Sequence, residues 1–379
     1  MKKLYKKLVC IVIIVLALCS CVNGAEEETE DWTSEVVEGQ YDALDLDGLY
    51  NGLDDDEIKL LDGINILDSD FSGGIGKIFS SIGNKLGDIF KKAAGSAAII
   101  MAIAIICALV GSVYDDSGKA TPAYVNLAGV LAISAVVLGS SSSFLGLGVD
   151  TLDKLENLSK TLLPVLSTLA ASAGAMTSAS VKYMATLLFI DVLITISKQV
   201  LMPIIYAYIA VSIADAAFGG GSLKGAAGVL KWMANMMLTV IMISFVTYIT
   251  ISGITASSAD AATTRVAKTV ISAAIPVVGG IISDAASSLV AGVSILKNAV
   301  GILGVLAVVA VCIVPFLRLG ASYLMYKLAA GLTEGITDSS LSRLVGSLSS
   351  AFGMVMGLVG AGAMMMFFGI LSLIKAVAT

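Results

Sequence analysis

The amino-acid sequence predicts an all-α protein, a polytopic transmembrane helical bundle of roughly six to eight membrane segments with an internal duplication. Three observations carry that prediction. Hydrophobic residues make up 57% of the 379 positions and charged residues only 14%, with a mean hydropathy of +0.94, far from the composition of water-soluble domains. Aromatic residues are just 6%, and the apolar runs are continuous rather than alternating, which argues against the strands and aromatic girdles of a membrane β-barrel. Prolines at a common spacing in the C-terminal two thirds point to a repeated unit.

The N-terminus reads as a signal peptide over residues 1–24: a lysine-rich head (MKKLYKK), an apolar centre (LVCIVIIVLALCSC) and small residues before polar sequence, with cleavage expected after Gly24. Lipid modification at Cys21 and an uncleaved signal anchor are the alternatives. Residues 25–70 form an acidic segment. Between Glu26 and Asp70 the only base is Lys59, so like-charge repulsion favours a flexible chain. This stretch accounts for the net charge of −6; the remainder is net basic. No basic patch interleaved with aromatics is present, so nucleic acid is not an expected partner.

From Phe71 to residue 93 the apolar positions Phe71, Ile75, Ile78, Phe79, Ile82, Leu86, Ile89 and Phe90 recur at three and four, with Lys77, Lys85, Lys91 and Lys92 elsewhere. That period predicts an amphipathic helix resting in the membrane interface. Two transmembrane helices are expected within 94–148, Ala94 to Val113 and Ala123 to Gly146, each near the roughly 20 residues that cross a bilayer. The following VDTLDKLENLSK places Val149, Leu152, Leu155 and Leu158 on one helical face and charges on the other.

The rest divides into two membrane repeats, 149–260 and 261–379. An offset of about 112 residues carries Pro164 to Pro276, Pro203 to Pro315, Gly219 to Gly331 and Lys231 to Arg343. Each copy opens on a proline and a Gly/Ala/Ser-rich stretch suited to close packing or to a re-entrant helix; whether that stretch crosses or dips leaves inverted and parallel repeats both open. A longer apolar segment follows with Pro203 or Pro315 in its interior, where a kink or break is expected.

Chain-wide, histidine is absent, which removes imidazole-based triads, HExxH zinc sites and histidine proton relays. No cofactor or metal is expected, and the protein is not expected to be an enzyme. Asp191, in LLFIDVLITISK, is the leading intramembrane candidate, because a carboxylate in an apolar run needs a partner or a water path. Lys198 lies two turns further on, too far to pair with Asp191 in one straight helix, so its partner is expected elsewhere. It is either functional or a snorkelling residue at a helix end. The matching positions in the second copy are Leu303 and Ala310. These charges make a secondary transporter with a proton- or cation-coupled site at Asp191 the alternative functional reading.

Several segments, taken in order, resemble the stage III sporulation protein AE family of endospore-forming bacteria: LLPVLSTLAASAGA, SGITASSADAATTRVAKTVISAAIPVVGGIISDA, ILKNAVG and YKLAAGLTE. The similarity runs from about Leu145 to the C-terminus. It implies a multi-pass protein made in the mother cell and placed in the membrane surrounding the forespore. There the family acts with other stage III sporulation A-operon proteins, and with stage II sporulation protein Q across the intermembrane space, in a secretion-like channel complex required for spore formation. The resemblance brings no catalytic residues with it.

Overall fold

The computed structural model describes residues 54–61, 71–116, 123–141, 144–170, 176–218, 221–255, 279–335 and 339–374. The signal peptide, most of the acidic segment and Pro276 lie outside the described residues. The elements are α1 (Asp55–Leu61), α2 (Phe71–Asp116), α3 (Ala123–Ser141), α4 (Phe144–Ala170), α5 (Met176–Ile196), a π-helical turn (Ser197–Leu201), α6 (Met202–Phe218), α7 (Lys224–Thr255), α8 (Gly279–Thr333) and α9 (Ser339–Ile374). Five stretches are long and apolar enough to cross a membrane: Lys85–Tyr114, Met184–Phe218, Lys224–Tyr248, Val300–Thr333 and Ser340–Ser372. A shorter apolar stretch is Tyr124–Val137. The architecture is that of a multi-pass membrane protein.

The expected interfacial helix and first span form one continuous helix, α2. The reason lies in the buried stripe Ile78, Ile82, Ile89, Ala93, Ala97, Ile100 and Ala104, which keeps its three-and-four spacing through the Lys91–Lys92 boundary. Beyond that boundary the opposite face exposes Ile99, Ile105, Ile106, Leu109, Val110 and Val113, as a lipid-facing surface should. The second span is shorter than its hydropathy implies. α3 ends at Ser141, in a serine run whose hydroxyls compete for backbone groups. α4 then carries the amphipathic segment past Pro164 without interruption, burying Leu152, Leu155, Leu158, Leu162, Leu163, Leu166 and Leu169.

The C-terminal part consists of two long antiparallel hairpins. In the first, α5, the π turn and α6 run up, and α7 returns; Thr186 and Tyr248 share a 2.7 Å hydroxyl hydrogen bond and their neighbour Phe189 stacks on Tyr248. The connecting turn uses Gly221 at φ +66°, a left-handed conformation that favours glycine, and the buried Asp215 carboxylate accepts from the Leu223 N–H at 2.9 Å. In the second hairpin, Ser342 and Ser349 of α9 donate to the carbonyls of Ala330 and Tyr323 on α8, both at 3.0 Å. Pro315 sits inside α8, which stays helical through it.

Helix α9 is where the bundle converges. Its glycines receive side chains from four different helices: Tyr323 and Phe316 of α8 lie over Gly353 and Gly360, Leu238 of α7 over Gly357, Leu152 and Leu155 of α4 over Gly362, and Thr186 and Ile190 of α5 over Gly369. Phe352 is stacked on Phe144 of α4 and meets Tyr326 of α8 edge-on. Apolar side chains gain little by leaving lipid for protein, so bilayer helices associate through close backbone approach and dispersion contacts, and small residues make that approach possible.

Gly148 tests this packing. A Cβ there would fall 2.5 Å from Cγ1 of Val355, a fully buried and β-branched side chain with little freedom to turn. Gly148→Ala is expected to lower bundle stability by about 1–3 kcal/mol. Gly228→Ala, with nothing within 4 Å, is expected to be neutral or to stabilise by about 0.5–1 kcal/mol through helix propensity. Thermal unfolding of the two variants in one detergent measures the difference.

Candidate functional site

The polar feature that the fold assembles is a ladder of ion pairs along the outer face of α4. With leucines at 152, 155 and 158 facing the core, the helical period puts Asp153, Lys154, Glu156 and Lys160 on the other side. On one flank they meet the π turn. Lys198 Nζ donates to Asp153 Oδ1 at 2.5 Å and to Glu156 Oε2 at 2.8 Å. Lys160 Nζ donates to the other oxygen of Glu156, Oε1, also at 2.5 Å, and lies 3.9 Å from Asp191 Oδ1. On the other flank Lys154 Nζ binds the Asp54 carboxylate and donates to Glu57 Oε1 at 2.7 Å.

These contacts alter the expectation for the acidic segment. Residues 54–61 are ordered as a helical turn on the bundle. Glu57 Oε2 accepts from the Asp54 N–H at 2.9 Å, the return arm of a capping box; Leu61 is buried, and Ile58 packs against the same core. Attraction to Lys154 together with this apolar anchor offsets the like-charge repulsion that favours an extended chain.

Asp191 is not enclosed. Its side chain is 46% exposed, beside Leu188 and Val192, which are also exposed, and its nearest described base is Lys160. This geometry does not favour a sealed ion site there. Lys198 finds its partners on another element, α4, as the spacing within its own helix requires. Pro203 follows the π turn after Met202, near the start of α6, where the chain stays helical but widens by one residue, whereas Pro164 and Pro315 lie inside regular helices. The sequence showed the charges of α4 as a solvent-side face; what it could not show is that α5 and α1 converge on them.

Electrostatics follow the pairing. Hydrogen bonds from Lys160 and Lys198 hold the Glu156 carboxyl below its ordinary value, against a smaller opposing effect of burial. The Lys160 ammonium is raised, chiefly by its bond to Glu156. For Lys154 burial pulls downward, but the hydrogen bonds to Asp54 and Glu57 outweigh it and leave the ammonium raised. For Lys154, Glu156 and Lys160 the pairing thus favours the charged form. Among the described residues no group of three or more Cys, Asp or Glu is arranged to hold a metal ion.

A family model for stage III sporulation protein AE matches residues 63–377. The chain belongs to that family. It is similar to the stage III sporulation protein AE of Bacillus subtilis (strain 168), with 24% identity over 285 residues, covering 75% of this chain and 71% of the relative. No solved structure matches. The family match includes α2 to α9 and the α4 ladder, while Asp54 and Glu57, which clamp Lys154, precede it.

Two outcomes are expected for this family member. Lys198→Met leaves Asp153 and Glu156 without their shared cation and should cost about 1 kcal/mol, the scale of a partly exposed pair. Glu156→Gln should cost less in that background than alone, as a double-mutant cycle reads. A carboxyl held below its ordinary value contributes stability above the usual carboxylate range and loses it as pH falls through the depressed value. The melting temperature should therefore be flat from about pH 7 to 5 and fall below about pH 4, with a smaller fall in Glu156→Gln.

Proposed function

We propose that the chain is a polytopic membrane component of the mother cell-to-forespore channel, a secretion-like complex required for endospore formation. The observation that carries this reading is the family match over residues 63–377 on a chain whose described part is a bundle of apolar helices. Its place is the mother-cell membrane surrounding the forespore. Its partners are membrane lipid, the other stage III sporulation A-operon proteins and, indirectly across the intermembrane space, stage II sporulation protein Q. The role is non-enzymatic and uses no cofactor.

Two structural features support a scaffold role. α8 has 55 residues, a length of about 80 Å at 1.5 Å per residue against about 30 Å of hydrocarbon, so the bundle reaches well outside the membrane, where other subunits can be met. The acidic N-terminal segment is tethered to the bundle at Asp54–Leu61. The two hairpins are read as copies of one unit, with a π turn beside Pro203 in the first and a continuous helix through Pro315 in the second.

Photo-cross-linking from positions in 25–50 of the full chain, in sporulating cells, tests the proposal. Adducts with sister stage III proteins are expected. Adducts with lipid alone, together with normal spore yield after loss of the protein, would overturn it.

A further inference from the structure

The π turn between α5 and α6 has features that a merely tolerated irregularity does not need. It holds one residue more than an α-helix would: the Met202 N–H reaches back five positions to the Ser197 carbonyl. Such turns behave as single-residue insertions and are recurrent at moving parts of proteins. Pro203, immediately beyond, has no N–H to return to the turn, so the carbonyls it faces have weaker claims on the backbone. Ser197, fully buried, spends its hydroxyl on the Leu193 carbonyl at 2.7 Å, a back-bond that bends helices. Gln199 and Val200, in the middle of the turn, are exposed.

The two helices that the turn joins both pack against α7 and α9, but their specific anchors lie at opposite ends of α9. Below it, Thr186 and Ile190 of α5 lie over Gly369 near the C-terminal end of α9, and Phe189 stacks on Tyr248 near the end of α7. Above it, α6 is bound at its far end to α3, where Asn126 Nδ2 donates to the Ala216 carbonyl at 2.9 Å, and through Ser340, which donates to Asn126 Oδ1 at 3.0 Å, to the start of α9. α8 provides an internal comparison: it carries Pro315 with no described π turn, its helix running on unbroken. A proline alone does not demand the extra residue.

We propose that the Ser197–Leu201 turn is a hinge between α5 and α6, latched by Lys198, whose ammonium clamps the turn to Asp153 and Glu156 of α4. In the latched conformer the extra residue is held at Ser197–Leu201. When the Lys198 pairs part, the wide turn shifts along the helix, and α5 swings with α4 relative to α6 and α3. The motion depends only on groups within this chain, and it stands whichever complex the protein serves.

Deleting Gln199 removes the extra residue while leaving the facing of both flanking helices unchanged, so the bundle keeps its contacts and loses the hinge. The measurement is electron–electron spin distance on the full chain in lipid nanodiscs, native cysteines replaced, with labels at the exposed Leu188 on α5 and Tyr124 on α3. The parent protein is expected to show two distance populations, the Gln199 deletion one, and Lys198→Met a shift of weight to the population that is minor in the parent. If the deletion does not fold, Lys198→Met decides alone. A single distance distribution shared by the parent and Lys198→Met would overturn the hinge, as would two populations that persist in a folded deletion variant.

Discussion

Close approach to α9 is the constraint on which the rest of the structure rests. Lipid removes most of the hydrophobic drive that assembles a soluble core, so the helices must be held by contact quality, and contact quality here is a matter of glycine placement. Gly353, Gly357, Gly360, Gly362 and Gly369 lie at successive heights and around several sides of one helix. Between them they admit side chains from four helices, Gly353 and Gly360 both facing α8. A larger residue at any of them would push a neighbour outward and, because α9 is shared, disturb the seating of helices that do not touch the changed position. Gaps on α8, Gly301 facing Ile374 of α9 and Gly304 facing Leu162 of α4, extend the same device to that helix.

With an apolar centre held in this way, the charged ladder on the outside of α4 connects that helix to the π turn and to α1. α4 buries leucines on one side and offers charges on the other, so one helix serves both as a core stave and as a docking strip. Adjacent residues divide the work: Asp153 faces the π turn and its neighbour Lys154 faces α1. Ion pairs at partly exposed positions contribute little net stability, but they carry strict geometric preferences, which suits them to choosing between arrangements of nearly equal energy.

Much of this was legible in the sequence because the signals were local. Continuous apolar runs identify membrane helices, and the leucine spacing of α4 identifies its buried face. What escaped depended on distant partners. Hydropathy separates the lysine-bearing start of α2 from its apolar end, yet a single buried stripe unites them. Asp191 stands out as a charge among apolar neighbours, but only the packing of α4 beside it shows that a lysine is near and that its side is open. The acidic segment carries a repulsive charge pattern along its own length; one turn of it folds because Lys154, about a hundred residues later, lies where Asp54 and Glu57 can reach it. The π turn had no sequence signature beyond its proline, since the same residue in α8 produces no such turn.

The length of α8 also has a mechanical consequence. A continuous helix of 55 residues is longer than the hydrocarbon layer is thick. Tilting it by 10° about one end would sweep the other end through about 14 Å, taking 1.5 Å of length per residue. Small rearrangements among helices in the bilayer would then be felt as large displacements in the space beyond it, with no loop in between to absorb them.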